Sequence, residues 1–219
     1  MSGAIPAVTA PDGRALVGRV VRLEPTVEDD GPELLAALDD ARVWAAGYAG
    51  GPAGRPLDDA AMRRFAARAE AARAGGAQAR GPAYRVAYTV RLLADSELGS
   101  VGTVVGTTSL GDVDLVNERA HLGWTAYGPP WWGTAVNPEC KLLLLTHAFD
   151  DCGLGRVKIQ TDAINERSQA AIARLGATRE GVLRRHLRRA DGTFRDTVVF
   201  SVIADEWPQV RAGLEARLR

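Results

Sequence analysis

The sequence predicts a single mixed α/β (α+β) domain, in which helices flank a central sheet. A length of 219 residues suits one large domain, and a composition that is 46% hydrophobic and 25% charged is typical of a globular chain with a sizeable core. Strand and helix periodicities follow one another in the order strand, two helices, three strands, helix, strand, helix, two strands, helix. We therefore expect a loose leader at 1–14 and one domain at 15–219.

The first third of the domain predicts one strand and two helices. Residues 16–23 are largely apolar and end shortly before a proline, which indicates a strand. The segment 28–42 and the segment that begins at 58 repeat apolar side chains at helical spacing. Between them, 47–56 contains four glycines and two prolines, a composition typical of a loop. The second helix is expected to end at the glycine pair 75–76.

Three strands are predicted in the middle of the chain, at 84–92, 101–110 and 120–127, because these segments are rich in valine, threonine and tyrosine. Strict alternation along the third strand predicts two faces, with Leu122, Trp124 and Ala126 on one and His121, Gly123, Thr125 and Tyr127 on the other. A loop rich in glycine and proline at 128–133 then precedes a strong helix at 137–151.

The last third predicts the remaining strands and helices. They are a strand at 157–161, a helix at 165–175 closed by Gly176, strands at 181–188 and 197–204, and a final helix from 206 or 208. Asp191-Gly192 is a strong signal for a tight hairpin turn between the last two strands.

Composition and motifs exclude several classes of protein. The 27 basic and 27 acidic side chains balance, whereas a domain whose main partner is nucleic acid usually has a basic excess. No apolar run approaches the ~20 residues that span a bilayer, and no secretion signal is visible. Two cysteines exclude a disulfide scaffold, so a cytoplasmic location is expected. The sequence lacks a P-loop, and Cys140, His147 and Cys152 lack metal-site spacing, so no metal is expected.

The strand, loop and helix at 120–149 are the most informative segment. A helix that starts directly after a glycine-containing loop presents unpaired backbone N–H groups and a positive dipole end, which together bind phosphate. Gly133 and Ala135 are small enough for a pyrophosphate to approach the backbone, and Thr134 adds a hydroxyl. The same segment also fits an ordinary connection in which Asn137 caps the helix and a proline follows in the first turn.

Five short motifs follow one another in the second half of the chain. They are WGTAVNPECK at 132–141, LLLLTHAF at 142–149, NERS at 165–168, LGATREG at 175–181 and DGTFRD at 191–196. Together they resemble the GNAT superfamily of acyl-CoA-dependent N-acyltransferases, in its ribosomal-protein-alanine N-acetyltransferase-like branch. The resemblance covers roughly 100–207 and implies a central mixed sheet whose strands splay apart around acyl-CoA. The phosphate loop departs from the usual Gln/Arg-x-x-Gly-x-Gly/Ala run, because WWGTAV at 131–136 has one glycine.

The resemblance also implies which residues bind acetyl-CoA, the expected acyl donor. Backbone groups of the third strand would meet the pantetheine arm, the loop after it would hold the pyrophosphate, and an Asn-x-x-Ser element would contact the cofactor near its sulfur. In that order the residues are Thr125, Ala126 and Tyr127, then Trp132, Gly133, Thr134, Ala135, Val136 and Asn137, and finally Asn165 and Ser168.

Transfer to an amine requires an acceptor for the amine proton, a donor for the oxyanion and a proton for the departing thiolate. The resemblance assigns the thiolate proton to Ser168, with Tyr127 as a second candidate, and a backbone N–H of the splayed strand suits the oxyanion. Leu187 stands where some relatives have a catalytic glutamate, so that role is not carried over. His121 and His186 are substitutes, because imidazole titrates near neutrality, and a glutamate at 180 is also available.

We therefore expect an N-acetyltransferase that moves the acetyl group of acetyl-CoA directly to a primary amine, with a protein N-terminus as the favoured acceptor. Alternatives that stay open are a small-molecule amine, succinyl-CoA as the donor and a catalytically idle acyl-CoA-binding module. The resemblance implies a homodimer. The arginines at 184–189 either lie in solvent along the edge of a strand or contact an acidic group, such as the 3′-phosphate of CoA or an acidic acceptor. The loop at 47–56 is expected to gate the acceptor side, and Cys140 to be a buried, inert thiol rather than an acylated intermediate.

Overall fold

An eight-stranded sheet runs through the computed structural model, which describes residues 8–74 and 81–219. Its strands are β1 (Leu16–Val17), β2 (Val21–Pro25), β3 (Gly81–Leu92), β4 (Val104–Asp114), β5 (Arg119–Tyr127), β6 (Arg156–Asp162), β7 (Thr178–Arg188) and β8 (Phe194–Ile203). They lie in the order β1-β2-β3-β4-β5-β6-β8-β7, and every neighbouring pair is antiparallel except β5 and β6. The sheet is therefore mixed, as the sequence predicts.

Helices cover both faces of this sheet. In the described part of the chain they are α1 (Gly31–Leu38), α2 (Ala41–Ala45), α3 (Asp59–Ala74), α4 (Val136–Thr146), α5 (Glu166–Leu175) and α6 (Trp207–Ala216). The larger hydrophobic core joins one face of the sheet to α4, α5 and α6, and the smaller core joins the other face to α1, α2 and α3. None of the helices described is both long and apolar enough to cross a membrane.

The two central strands separate part-way along their length. Parallel pairing of β5 with β6 ends at Leu122 and Ile159, although β5 continues to Tyr127 and β6 to Asp162. Each strand keeps its outer neighbour along this stretch, because β5 still pairs with β4 and β6 with β8. The inner edges of both strands are therefore left open to each other, which confirms the predicted splay.

A β-bulge in β5 reverses the alternation of its side chains. One residue of β4, Thr108, stands opposite two residues of β5, Trp124 and Thr125. Trp124 adopts a φ of 48° and its side chain is 37% exposed. The predicted grouping of Leu122, Trp124 and Ala126 on one face is therefore wrong, because Leu122 lies in the larger core and Ala126 in the smaller.

The predicted strand at 16–23 is a hairpin of the short strands β1 and β2. Residues 8–14, expected as part of a loose leader, contain no helix or strand but lie against the domain. The Thr9 N–H donates to the Cys152 carbonyl at 3.0 Å, and Val8 packs against the larger core. This part of the leader is therefore held to the domain.

Glu139, in the first turn of α4, fixes the hairpin to that helix. Its buried carboxylate accepts the backbone N–H groups of Arg19, Val20 and Val21 at 2.8, 2.7 and 2.7 Å. A Cβ at Gly18 would lie 2.5 Å from the same carboxylate, so the close approach requires glycine. The contact joins the first strands of the chain to a helix more than 100 residues later.

The predicted helix at 28–42 is interrupted between α1 and α2. Asp40 is extended there, and its carboxylate accepts the Arg42 N–H at 2.8 Å, which starts a new helix. A strong side-chain cap inside a segment with helical periodicity therefore ends one helix and begins another. The glycine pair 75–76, expected to end α3, lies outside the described residues.

The other elements match the predictions, with shifted ends. The helix expected at 137–151 is α4 followed by one π-helical turn at His147–Asp151. Gly192 turns the chain between β7 and β8 at a φ of 88°, as the Asp191-Gly192 signal predicts. This tight turn lets β8 begin at Phe194, three residues earlier than expected.

Candidate active site

A cleft of about 620 Å³ opens where β5 and β6 separate. Its lining comes from both strands, from the first turns of α4 and α5, and from the segment that follows α2. Side chains of α3, β3, β7 and β8, the loop before α4 and the later turns of α5 also line it. The cleft therefore lies at the splay of the sheet.

Ten of the site residues predicted from the sequence line this one cleft. They are His121, Thr125, Ala126, Tyr127, Trp132, Gly133, Thr134, Asn137, Asn165 and Ser168. Ala135 and Val136 are not part of the lining: the Val136 side chain is fully buried in the larger core, and Ala135 immediately precedes α4. Neither His186 nor Glu180 reaches the cleft.

The chain before α4 presents backbone N–H groups without partners. Within the described residues, no hydrogen bond is made by the N–H groups of Gly133, Thr134, Ala135 and Asn137. The Thr134 hydroxyl donates to the Trp131 carbonyl at 2.8 Å and accepts the Val136 N–H at 3.3 Å. The alternative in which Asn137 caps the helix is wrong, because Asn137 lies inside α4. A cluster of free N–H groups at a positive dipole end suits an anion.

Two tryptophans cover this turn. The Trp131 indole donates to the Leu98 carbonyl at 2.9 Å and the Trp132 indole to the Tyr127 carbonyl at 2.7 Å, which fixes both rings. The Arg167 guanidinium lies 3.4 Å above the Trp132 ring, a cation–π contact that the sequence did not predict. Burial, and then the charge of a second arginine, lower the pKa of Arg167.

The first turn of α5 is built around Asn165 and Ser168. The Asn165 side-chain oxygen accepts the Ser168 N–H at 3.0 Å, so Asn165 is the helix N-cap. Capping occupies the oxygen of the Asn165 amide and leaves its NH₂ group free to donate. The Ser168 hydroxyl makes no hydrogen bond to the described residues, although it lines the cleft.

A buried lysine that the sequence did not predict reaches the same cleft. The Lys141 ammonium donates to the Thr125 hydroxyl at 2.9 Å, and Thr125 in turn lies 2.8 Å from the Thr108 hydroxyl. No carboxylate pairs with Lys141 in the described part of the chain. Burial lowers the pKa of Lys141 from 10.5 to about 8.

Two other groups face the protein interior. The Tyr127 hydroxyl is buried without a hydrogen-bond partner among the described residues, and burial raises its pKa well above 10. Cys140 is fully buried, and burial raises the pKa of its thiol to about 12. Both side chains belong to the larger core, so Tyr127 meets the cleft chiefly through its backbone and the Cys140 thiol stays protonated.

His121 is 4% exposed and lies against the Trp124 ring, with 4.5 Å between the ring centroids. Its Nε2 is buried and has no partner among the described residues. Burial, followed by the charges of Lys158, Lys141 and Arg195, lowers the pKa of His121 to about 3. The imidazole is therefore neutral at every physiological pH, ready to accept a hydrogen bond but weak as a base.

The remaining base candidates are engaged elsewhere. His186 lies 3.0 Å from the Thr197 hydroxyl, and burial lowers its pKa. Glu180 pairs with Arg156 and accepts the Ser201 hydroxyl at 2.9 Å. These contacts hold β6, β7 and β8 together and are away from the cleft.

The arginine-rich hairpin closes against the loop after α2. Arg189 pairs with the buried Asp162 through its guanidinium NH groups, at 2.8 to 3.1 Å. The Ala190 N–H donates to the Gly50 carbonyl at 3.1 Å, which links the β7–β8 hairpin to the loop. Gly47 adopts a φ of 88°, and a Cβ there would lie 2.7 Å from the Asp162 carboxylate. The loop predicted as a gate therefore lies directly beside the cleft.

Comparisons with known proteins agree with this geometry. The family described as "Acetyltransferase (GNAT) domain" matches residues 21–178. The "Putative ribosomal N-acetyltransferase YdaF" of Bacillus subtilis (strain 168) is 34% identical over 48% of this chain, a match that spans little more than half (57%) of that protein. A crystal structure of a putative acetyltransferase from T. thermophilus is 36% identical and superposes over 94% of this chain and 97% of its own, with a TM-score of 0.76. Mycobacterium smegmatis RimJ in complex with CoA-disulfide shares the fold at 21% identity, over 97% of this chain and 93% of its own, with a TM-score of 0.69.

Proposed function

Since this chain belongs to the acetyltransferase (GNAT) family, we propose that it moves the acetyl group of acetyl-CoA to a primary amine, with a protein N-terminal amino group as the favoured acceptor. One observation supports this proposal above the others. The cleft in the splay joins a cluster of unpaired N–H groups to the open edge of β5, so a long, anionic, amide-rich molecule fits along it. We include in the proposal that the enzyme works in the cytoplasm as a homodimer.

The donor would lie with its phosphates at α4. Free N–H groups at residues 133–135 and 137 would donate hydrogen bonds to the pyrophosphate, with Arg167 beside it as a cation. Beyond the bulge, the open edge of β5 at 125–127 would hydrogen-bond to the pantetheine amides as an extra strand does. The free amide NH₂ of Asn165 would also donate to the arm.

The chemistry requires a neutral amine, and the charges around the cleft favour one. Arg85 and Arg195 line the cleft together with His121, and like charges lower the pKa of an incoming ammonium. The neutral His121 Nε2 would accept a hydrogen bond from the amine. This hydrogen bond would orient the lone pair of the amine nitrogen toward the thioester. As the new C–N bond forms and the thioester C–S bond breaks, the proton that the amine nitrogen loses would pass through the Ser168 hydroxyl to the departing thiolate, which leaves as CoA with its thiol restored.

Calorimetric titration of the purified chain with acetyl-CoA, succinyl-CoA and free CoA tests the donor assignment. We expect micromolar dissociation constants, and acetyl-CoA is expected to be turned over in preference to succinyl-CoA. CoA release with peptides that have free or acetylated N-termini then tests the acceptor. Absence of binding to all three ligands would contradict the proposal, and equal release with blocked peptides would exclude the N-terminal amine as acceptor.

A further inference from the structure

One row of residues runs across the sheet at the part of the cleft near His121. Arg85 of β3 pairs with Gly111 of β4, Gly111 with His121 of β5, and His121 with Lys158 of β6. Residues that pair directly present their side chains on the same face. Arg85, His121 and Lys158 therefore share one face, and Arg195 of β8 lines the same cleft.

The charges on this face do not balance. Lys158 pairs with Asp112 at 3.0 Å, and Asp162 is occupied by an arginine of the hairpin. Arg85 makes no ion pair or hydrogen bond with the described residues, and its guanidinium lies 5.1 Å from the centroid of the Trp124 ring. Within the described residues, the Arg195 guanidinium donates a single hydrogen bond, to the Thr197 hydroxyl at 3.0 Å.

Both guanidinium groups are partly removed from water, which is unfavourable for unpaired charges. Burial lowers the pKa of Arg85 and of Arg195. A desolvated cation is stabilised when an anion with matching geometry reaches it, and a carboxylate matches the planar guanidinium fork. Arg85 has no carboxylate partner among the described residues, and the Asp162 carboxylate that acts on Arg195 already pairs with Arg189. Two such groups in one cleft favour an anionic ligand.

Two buried polar atoms beside them also lack partners. The Nε2 of His121 and the Oε1 of Gln160 are both buried, both line the cleft, and neither has a hydrogen-bond partner among the described residues. Buried polar atoms are nearly always satisfied in folded proteins. Their presence next to unpaired cations indicates a place that a polar ligand completes: the acceptors His121 and Gln160 suit N–H donors and the arginines suit an anion.

The phosphates of the donor are an unsuitable source for this anion. Arg85 lies level with His121, six residues along β5 from Tyr127, after which the loop to α4 begins. Because β5 is bulged, β4 covers the same stretch in five residues, from Gly111 to Gly106, and five extended residues span about 17 Å. The anion at Arg85 and the pyrophosphate at α4 therefore belong to different parts of the cleft.

We propose that Arg85 and Arg195 form a carboxylate-binding subsite, and that the acceptor amine of this enzyme carries a carboxylate close to its amino group. The proposal rests on the proposed function, because it names the class of acceptor for the same cleft. The amine would bind with its N–H groups toward His121 and Gln160 and its carboxylate toward the two guanidinium groups. An N-terminal residue followed by aspartate and a free amino acid share this chemistry.

Matched amines that differ in one charge test the subsite. We would compare kcat/KM, with acetyl-CoA as donor, for peptides that begin Ala-Asp or Ala-Asn, and for alanine against alaninamide. We expect the charged member of a pair to be preferred by about tenfold or more. The peptide pair and the amino-acid pair distinguish the two sources of the carboxylate, and no preference in either pair would overturn the proposal.

In the variants Arg85→Gln and Arg195→Gln, the ratio of kcat/KM between the charged and the uncharged amine of a pair should fall to nearly one. The affinity for acetyl-CoA should stay unchanged. Arg184→Gln is the matched control, since Arg184 is exposed on β7 and does not line the cleft. Arg85→Lys and Arg195→Lys keep the charge and should retain part of the preference, which separates this role from a general loss of folding. A preference that survives both glutamine variants would refute the assignment.

Succinyl-CoA distinguishes a donor carboxylate from an acceptor carboxylate. If the arginine variants lose succinyl transfer to alaninamide but keep the acceptor preference, the subsite serves the donor and the acceptor assignment is wrong. Calorimetry with N-acetylated Ala-Asp and Ala-Asn peptides, in the presence of CoA, measures the subsite without turnover. Tighter binding of the aspartate peptide that both glutamine variants abolish would support the subsite even if no amine were acetylated, whereas equal binding would refute it.

Discussion

Removal of the Glu139 carboxylate is expected to destabilise the whole domain, because one side chain fixes the first hairpin to α4. The carboxylate accepts three backbone N–H groups, from Arg19, Val20 and Val21. We consider Glu139→Ala, which removes all three bonds, and Glu139→Gln, which keeps the shape. In the glutamine variant one amide oxygen still faces two donors, and the new NH₂ group opposes the third.

The magnitude follows from the exposure of each donor. Val21 is fully buried, so loss of a charged acceptor for its N–H costs about 2–3 kcal/mol. Arg19 and Val20 are exposed and half-buried respectively, so water replaces the carboxylate and each bond costs roughly 0.5–1 kcal/mol. We therefore expect Glu139→Ala to lower the free energy of unfolding by about 4 kcal/mol and Glu139→Gln by about 1–2 kcal/mol.

Urea denaturation, followed by circular dichroism, measures these changes as a lower midpoint at a constant m value. Glu166→Ala and Glu166→Gln are matched controls, because Glu166 is also in the first turn of a helix but is exposed. They should change the free energy of unfolding by less than about 1 kcal/mol, the size of a surface charge–dipole effect. A Glu139→Ala protein as stable as the Glu166→Ala control would refute this reasoning.

Three further predictions concern the cleft. Ser168→Ala should reduce kcat at least tenfold but leave the Kd for acetyl-CoA unchanged; an unchanged kcat would remove the leaving-group role of Ser168. Gly133→Ala should raise the Kd for CoA. Gly153→Ala is its control, because Gly153 has a similar positive φ and equally open space around it; this variant should lose as much stability as Gly133→Ala but keep the wild-type Kd. Equal CoA affinities of the two variants would exclude the phosphate site at Gly133. Lys141 has a pKa of about 8 when folded and 10.5 when unfolded, so the unfolded chain binds more protons between these values and stability should rise with pH. From pH 8 to 9.5 the free energy of unfolding should rise by about 1.6 kcal/mol. The Lys141→Met variant should lack this rise when both proteins are denatured with urea.

The parts of the fold that sequence could predict are those with local signals. Asn165 caps α5 and Gly176 ends it in the left-handed conformation, as expected for an asparagine and a glycine at the two ends of a periodic segment. Gly192 adopts the positive φ that a tight hairpin turn requires, as the local Asp191-Gly192 pair predicts. Each of these signals depends on a few neighbouring residues, so the prediction needed no knowledge of the tertiary contacts.

The bulge at Trp124 had no local signal. It depends on β4, where Thr108 alone faces two residues of β5, so alternation within the strand could not predict it. Arg85 and Arg195 enter the cleft from strands 110 residues apart, and only the tertiary fold places both on its lining. Lys141 did have a signal, because it is a charged residue three and four positions before the buried Leu144 and Leu145, on a helix face that enters the core.

The bulge connects the two substrates in this interpretation of the cleft. Without the extra residue, Trp124 would point to the same face as Leu122, into the larger core, and Thr125 onward would keep the alternation of the first half of β5. With it, the Trp124 ring lies between His121 and Arg85 on the face proposed for the acceptor. The strand edge beyond the bulge is the one proposed for the donor, so a change that removed the bulge would alter both sites together and should raise the KM for acetyl-CoA and for the amine at once.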